Sequence, residues 1–183
     1  MQFEFTTAGR IIFGPGTLRG AGRAIKNAGK HPLVIAGKTV QRAEPLLQLL
    51  RENKIEFTTF SVSGEPTSQA VRDGVALAKN ANCDWVIAIG GGSVLDAGKA
   101  IAAMMTNEGD VLDYVEIIGQ GKTLTKRPAR FMAIPTTAGT GSEVTRNAVL
   151  ASPEHRLKVS LRSLTMLPGI AVVDPELTYD LPP

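Results

Sequence analysis

The chain has 183 residues, of which 43% are hydrophobic and 20% charged, and 20 Lys and Arg against 17 Asp and Glu leave a net charge of +3. These proportions exclude a disordered, collagen-like or fibrous chain, and this length buries about 70% of its unfolded surface, enough for one full core or two small ones. No apolar stretch approaches the roughly 20 residues that span a bilayer, residues 1–14 lack a signal peptide's basic start and long apolar core, and a single cysteine, Cys83, excludes an internal disulfide, so a cytoplasmic chain without a membrane partner is expected.

In chain order, residues 3–6 and 10–13 read as short strands closed by Gly14-Pro15-Gly16. Residues 3–13 are a candidate edge hairpin that pairs between subunits, which points to a homo-oligomer. Leu18, Ala21, Ile25 and Ala28 recur at helical spacing, and Gly29 stands where that helix should stop. The apolar run 33–36 suits a buried parallel strand. A Leu-rich helix over 45–53 and a strand over 55–61 follow. Pro66-Thr67 opens a helix to about residue 80, with Ala70, Val71, Val75 and Ala78 on one face. Residues 85–89 are continuously apolar, and 93–105 read as helix. This alternation predicts an α/β fold with a doubly wound, Rossmann-like parallel sheet.

Beyond residue 109 the pattern changes. Residues 117–130 are loop-like, and 131–134 form another buried strand. Residues 145–151 and 157–161 alternate enough for a hairpin, joined by Ser152-Pro153-Glu154-His155, and 170–173 is a final apolar strand. One domain over residues 1–183 is expected. Lys122, Lys126, Arg127 and Arg130 form the densest basic cluster, but no aromatic residue is interleaved to stack a base, so no nucleic-acid partner is expected. His31 and His155 lie in separate loops outside any Cys- or His-rich cluster, so no metal site is expected in this chain.

The most informative stretch is Trp85-Val86-Ile87-Ala88-Ile89-Gly90-Gly91-Gly92-Ser93-Val94-Leu95-Asp96-Ala97-Gly98-Lys99. A buried strand runs into three glycines and then a helix. Glycines let phosphates approach the backbone, and the helix start offers free N–H groups and a positive dipole end. The same residues also suit a plain strand-to-helix turn, in which Ser93 caps the helix and Asp96 completes a capping box. The dinucleotide fingerprint G-x-G-x-x-G fails because position 95 is Leu, and a P-loop fails because Lys99 precedes Ala100. The second stretch, Ile134-Pro135-Thr136-Thr137-Ala138-Gly139-Thr140-Gly141-Ser142-Glu143-Val144-Thr145, puts hydroxyls and glycines directly after a buried strand. Such hydroxyls donate to phosphate, ribose or carboxamide groups without adding charge. Ser142 is not a G-x-S-x-G nucleophile, since Thr140 stands where the first glycine belongs.

Taken together, these two stretches, the opening Phe13-Gly14-Pro15-Gly16 and the closing Val173-Asp174-Pro175-Glu176-Leu177-Thr178 resemble the iron-containing (group III) alcohol dehydrogenases across the whole chain. The resemblance implies an N-terminal NAD(P)-binding α/β domain and, outside this chain, a helical domain that holds a divalent metal, iron or zinc, on one Asp and three His. Asp174 does not match that ligand Asp. By the same resemblance Gly91, Gly92 and Ser93 match the diphosphate loop, with Asp96 near the cofactor. Thr136 and Thr137 match adenosine- and diphosphate-side contacts, Thr140, Thr145 and Lys158 match residues near the nicotinamide ribose and diphosphate, and Leu177 joins the cofactor contacts. The expected function is the cofactor half of a metal-dependent alcohol dehydrogenase, binding dinucleotide but not turning over without its helical partner.

Two departures stand out. Many members carry an Asp that accepts from the adenosine ribose 2′-hydroxyl, where this chain has Gly37, followed by Lys38. Loss of the carboxylate removes repulsion of a 2′-phosphate and Lys38 adds a cation, so NADP(H) is expected to be accepted and preferred, with NAD(H) possible. Glu65 stands where some members have Asn beside the adenine or ribose. The other readings are a stand-alone nucleotide-binding module, or the cofactor domain of a glycerol dehydrogenase or maleylacetate reductase.

Overall fold

The computed structural model describes residues 1–179. Its elements follow in the order β1 (Ile11–Phe13), α1 (Thr17–Gly20), α2 (Gly22–Lys26), β2 (Pro32–Gly37), α3 (Glu44–Glu52), β3 (Thr58–Val62), α4 (Ser68–Asn80), β4 (Trp85–Gly90), α5 (Gly92–Thr106), α6 (Val111–Tyr114), β5 (Arg130–Pro135), β6 (Asn147–Ser152), β7 (Leu157–Arg162) and β8 (Ile170–Val173). Six strands form one parallel sheet in the order β1-β8-β5-β4-β2-β3, and β6 and β7 pair as a separate antiparallel hairpin. No helix among the described residues is long and apolar enough to cross a membrane.

The continuous apolar runs of β2, β4 and β5 follow from burial on both faces of a parallel sheet. Leu33, Ile35, Val86, Ala88 and Ala133 point to one side and pack with α4 and α5 residues such as Val71, Ala97 and Ile101. Val34, Ala36, Ile87, Ile89, Met132, Ile134 and Val172 point to the other, against Leu18, Ile25, Leu46 and Leu50 of α1 to α3. Two helical glycines let the first of these layers close. A Cβ on Gly74 would stand 2.4 Å from Ile101 Cδ1, and one on Gly98 would stand 2.7 Å from Phe131 Cε2 and 2.8 Å from Ala88 Cβ.

Four expectations are corrected. Residues 3–6 form no strand, and the 3–13 hairpin is absent. β1 pairs instead in parallel with β8, Ile12 opposite Val172, because a partner from the far end of the chain completes the sheet. The helix expected from Leu18 to Ala28 is broken at Ala21 into α1 and α2, between Gly20 and Gly22. The strand expected from residue 55 begins at Thr58, opposite Leu33, because the Ile55 N–H is spent closing α3 on the Leu50 carbonyl. α6 was not read from the sequence; at four residues it has no periodicity to detect, and Asp110 holds it by accepting from the Leu112 N–H at 2.9 Å while its own N–H bonds Asp113.

The chain leaves β2 outward to β3, then returns to the other side of β2 with β4 and continues outward to β5 and β8. Connections therefore diverge between β2 and β4. In a parallel sheet the crevice outside the strands' C-terminal ends at such a switch is where ligands bind.

Candidate functional site

Three strand ends meet at that crevice. Ala36 is level with Ile89 and Gly90 with Pro135, so Gly37 of β2, the glycines after β4 and the threonines after β5 emerge side by side. The Thr136 N–H donates to the Gly90 carbonyl at 3.0 Å, which carries the pairing one step past the sheet. Gly90 belongs to the packing, since a Cβ there would stand 2.7 Å from Val94. Gly91 and Gly92 belong to the crevice. A Cβ on Gly91 would lie 3.4 Å from Thr137 Oγ1, and one on Gly92 would lie 3.1 Å from Thr140 Cγ2. Thr137 Oγ1 is buried and has no hydrogen-bond partner.

α5 starts at this point with Gly91 as its N-cap and no side chain capping it. The expected Ser93 cap and Asp96 capping box are therefore corrected. Ser93 sits inside the first turn, two residues past the N-cap and too late to cap, and Asp96 is drawn sideways into a different network. The Val94 and Leu95 N–H groups both turn back to the Gly91 carbonyl. The N–H groups of Gly92 and Ser93 thus face the crevice at the positive end of a 15-residue helix.

Asp96 and Lys99 are three residues apart and share one face of α5. Asp96 accepts from Ser142 Oγ at 2.5 Å and from the Val149 N–H at 3.0 Å, and pairs with Lys99 Nζ at 3.0 Å. The Lys99 ammonium is wholly buried and donates to the Ser142 carbonyl (3.0 Å), Thr145 Oγ1 (3.2 Å) and the Asn147 carbonyl (2.5 Å). Burial pushes its pKa below the usual lysine value, and the adjacent Asp96 charge opposes that shift. This pair stitches the Thr-rich loop and β6 onto α5, so Thr137 and Thr140 are held over Gly91 and Gly92.

The result is a pocket of about 290 Å³ lined by Glu65, Gly92, Ser93, Asp96, Thr140 and Thr145 among others. Lys158, on β7, forms an ion pair with Glu65 at its rim. Gly37 and Lys38 lie on the other side of the switch point. A Cβ on Gly37 would meet only Val94 Cγ2, at 3.8 Å, and Lys38 is exposed. Thr136 is buried at the end of β5. Leu177 packs on the side of α1 to α3 and does not line the pocket. The structure thus brings Gly91, Gly92, Ser93, Asp96, Thr136, Thr137, Thr140 and Thr145 together, with Lys158 one ion pair away. It leaves Leu177 apart.

Sequence reasoning missed the anchoring role of Lys99. The signal was present in the Asp96 to Lys99 spacing, but the partners Ser142, Asn147 and Val149 come from other elements. It also left Asp174 without a role. That buried carboxylate accepts from the N–H groups of Gly16 and Leu18 at 3.0 Å each and of Glu176 at 3.1 Å, and so fastens α1 to the end of β8.

A diphosphate fits these residues: two bare helix N–H groups, two glycines whose missing Cβ atoms leave the approach open, and an unpartnered buried hydroxyl. A divalent metal does not. Among the described residues no three His, Cys, Asp or Glu side chains are grouped to hold one. His31 Nε2 lies 3.0 Å from Thr58 Oγ1, and His155 Nδ1 lies 2.8 Å from Ser152 Oγ.

Comparison with known proteins bears on the same residues. The sequence profile of the iron-containing alcohol dehydrogenase family matches residues 8–175. A choline dehydrogenase of Bacillus subtilis (strain 168) is 36% identical over 99% of this chain and 46% of its own length. A crystal structure of a 1,3-propanediol oxidoreductase superposes with a TM-score of 0.92 at 34% identity, over 100% of this chain and 48% of that one. A sulfoacetaldehyde reductase from Bifidobacterium kashiwanohense, solved with NAD+, superposes with a TM-score of 0.89 at 30% identity, over 100% and 48%. The chain therefore spans about half the length of the relatives it matches. With its strand order, its glycine turn and its Thr-rich loop all in place, the chain belongs to the iron-containing alcohol dehydrogenase family.

Proposed function

We propose that this chain is the NAD(P)-binding part of an alcohol dehydrogenase that interconverts an alcohol and an aldehyde or ketone. The observation that carries the reading is the uncapped start of α5 at the strand switch, with Gly91 and Gly92 lying under Thr137 and Thr140. In this reading the Gly92 and Ser93 N–H groups hold the diphosphate, and Thr137 Oγ1 supplies a further donor. Asp96 and Lys99 hold the loop that carries the threonines, and Lys158 reaches the ligand from the rim. The nicotinamide, when bound, supplies or accepts hydride. Polarisation of the substrate oxygen is assigned to the metal-holding helical part that the family resemblance implies. The chain alone is expected to bind cofactor without turning over. The relatives' names cover choline, propanediol and sulfoacetaldehyde, and the substrate is read no finer than an alcohol.

The proposal extends to cofactor choice. With Gly37 where a carboxylate would repel a 2′-phosphate, and with Lys38 exposed beside it, NADP(H) is preferred over NAD(H). It also extends to a homo-oligomer through the β1 edge and a cytoplasmic location. Calorimetric titration of the chain with NADPH and then NADH is the test. Saturable binding with NADPH tighter supports both parts. Tighter NADH keeps the diphosphate cradle and overturns the preference, and no binding of either overturns the reading.

A further inference from the structure

The pocket beside α5 is unusually poor in positive charge for a site that takes a diphosphate. Its lining holds two carboxylates, Glu65 and Asp96, and no lysine or arginine. Asp96 is neutralised internally, with both oxygens engaged by Ser142, Val149 and Lys99. The Lys99 ammonium is buried and its hydrogens are directed at Ser142, Thr145 and Asn147, so it is not available to a ligand. A cation is brought to the rim by Lys158, whose ion-pair partner is the lining residue Glu65.

We propose that Glu65 is an internal competitor for Lys158, occupying the ammonium that an entering anion needs, and that cofactor entry exchanges one counter-ion for the other. The inference rests on the dinucleotide reading of the site. The two backbones are set opposite one another by the fold. Lys158 lies across the hairpin from Ala151, and the Ala151 N–H donates to the Pro66 carbonyl at 2.8 Å, next to Glu65. Only the side chains need to move. Both are solvent-accessible, 63% for Lys158 and 50% for Glu65, so the pair between them contributes little net free energy and a more highly charged diphosphate can displace it. The exchange has a signature in salt dependence. Replacing one ion pair by another nearly cancels the effect of screening, whereas forming a pair anew is weakened by salt.

Glu65→Gln keeps the size of the side chain and removes the competing charge. It is expected to tighten binding about two- to fivefold, the scale of an exposed ion pair, and to steepen the loss of affinity with salt. Lys158→Met weakens binding, and does so less when made in the unaltered chain than when made in Glu65→Gln, because with Glu65 present part of the ammonium's attraction for the ligand is spent in breaking the pair. The experiment is calorimetric titration of this chain and its variants with NADH, NADPH and inorganic pyrophosphate, at low and high salt, with thermal melts as the check on folding. Tighter, more salt-sensitive binding to Glu65→Gln with an unchanged melt supports the exchange. If the unaltered chain binds dinucleotide and Glu65→Gln binds it equally or less well, the exchange is overturned and the cofactor reading stands. If pyrophosphate alone binds, and more tightly to Glu65→Gln, the exchange stands and the dinucleotide reading falls. If no anion binds either protein, both fall.

Discussion

Gly91 and Gly92 act through absent atoms. Neither has the positive φ that demands glycine, and α5 tolerates alanine in its first turn, so only the space above them requires the missing Cβ. Gly92→Ala places a methyl 3.1 Å from Thr140 Cγ2, in the path of the proposed diphosphate. It is expected to lower cofactor affinity at least about tenfold, read by calorimetry, while stability changes by less than about 1 kcal/mol because alanine favours the helix. Asp174 makes the opposite prediction. It touches no ligand but terminates three backbone N–H groups from two parts of the chain. Asp174→Ala leaves those donors unpaired and is expected to cost roughly 3 kcal/mol in urea unfolding, with binding in the surviving folded fraction unaltered.

α5 serves both the crevice and the core. Its uncapped N-terminus forms the proposed cradle, its Asp96 and Lys99 hold the Thr-rich loop, and its Gly98 sets how closely it lies on β4 and β5. Gly98→Ala drives a methyl into Phe131 and Ala88 and is expected to destabilise by about 1–2 kcal/mol, overpacking outweighing the gain in helix propensity. Gly20→Ala in α1 is the control: nothing lies within 4 Å of its added Cβ, and it is expected to be neutral or mildly stabilising. α4 is tied to α6 by Arg72, whose Nε and Nη2 donate to the two Asp110 oxygens at 2.6 and 3.0 Å. The Arg72 hydrogen bond holds the Asp110 carboxyl below its usual 3.8. A carboxylate whose folded pKa is depressed stabilises the fold above its unfolded value and loses that contribution as pH falls through the folded one. The stability difference between the unaltered chain and Asp110→Asn, followed by denaturant unfolding, should be largest near neutrality and shrink below pH 3.8.

The sheet ends in an unfinished edge. Among the described residues β1 pairs with β8 on one side only. Ile11 is 48% and Phe13 72% exposed, with Phe3 and Phe5 exposed just before them. A parallel sheet is normally covered on both faces, and an open apolar edge invites another strand or helix. The chain is therefore expected to self-associate in sedimentation velocity, and Phe13→Lys should shift it toward the monomer without changing its melting behaviour. An unchanged sedimentation profile would take the β1 edge out of the oligomer.

Much of this was legible in the residues. Apolar runs of strand length, alternating with amphipathic stretches of helix length, specify a parallel sheet because burial on both faces leaves no other pattern. Glycines after the run ending at Ile89, and hydroxyls after the run ending at Ile134, fall at the crevice end of the sheet because those positions follow strand C-termini. Local chemistry was enough there. The rest depended on which elements meet. No periodicity reveals that β1 lies beside β8, that Asp96 reaches across to Ser142 and Val149 instead of closing a capping box, or that Glu65 takes hold of Lys158 from the far end of the chain. The side-chain contacts among these join residues 46, 53 and 93 positions apart, and their energy exists only once the chain has already folded.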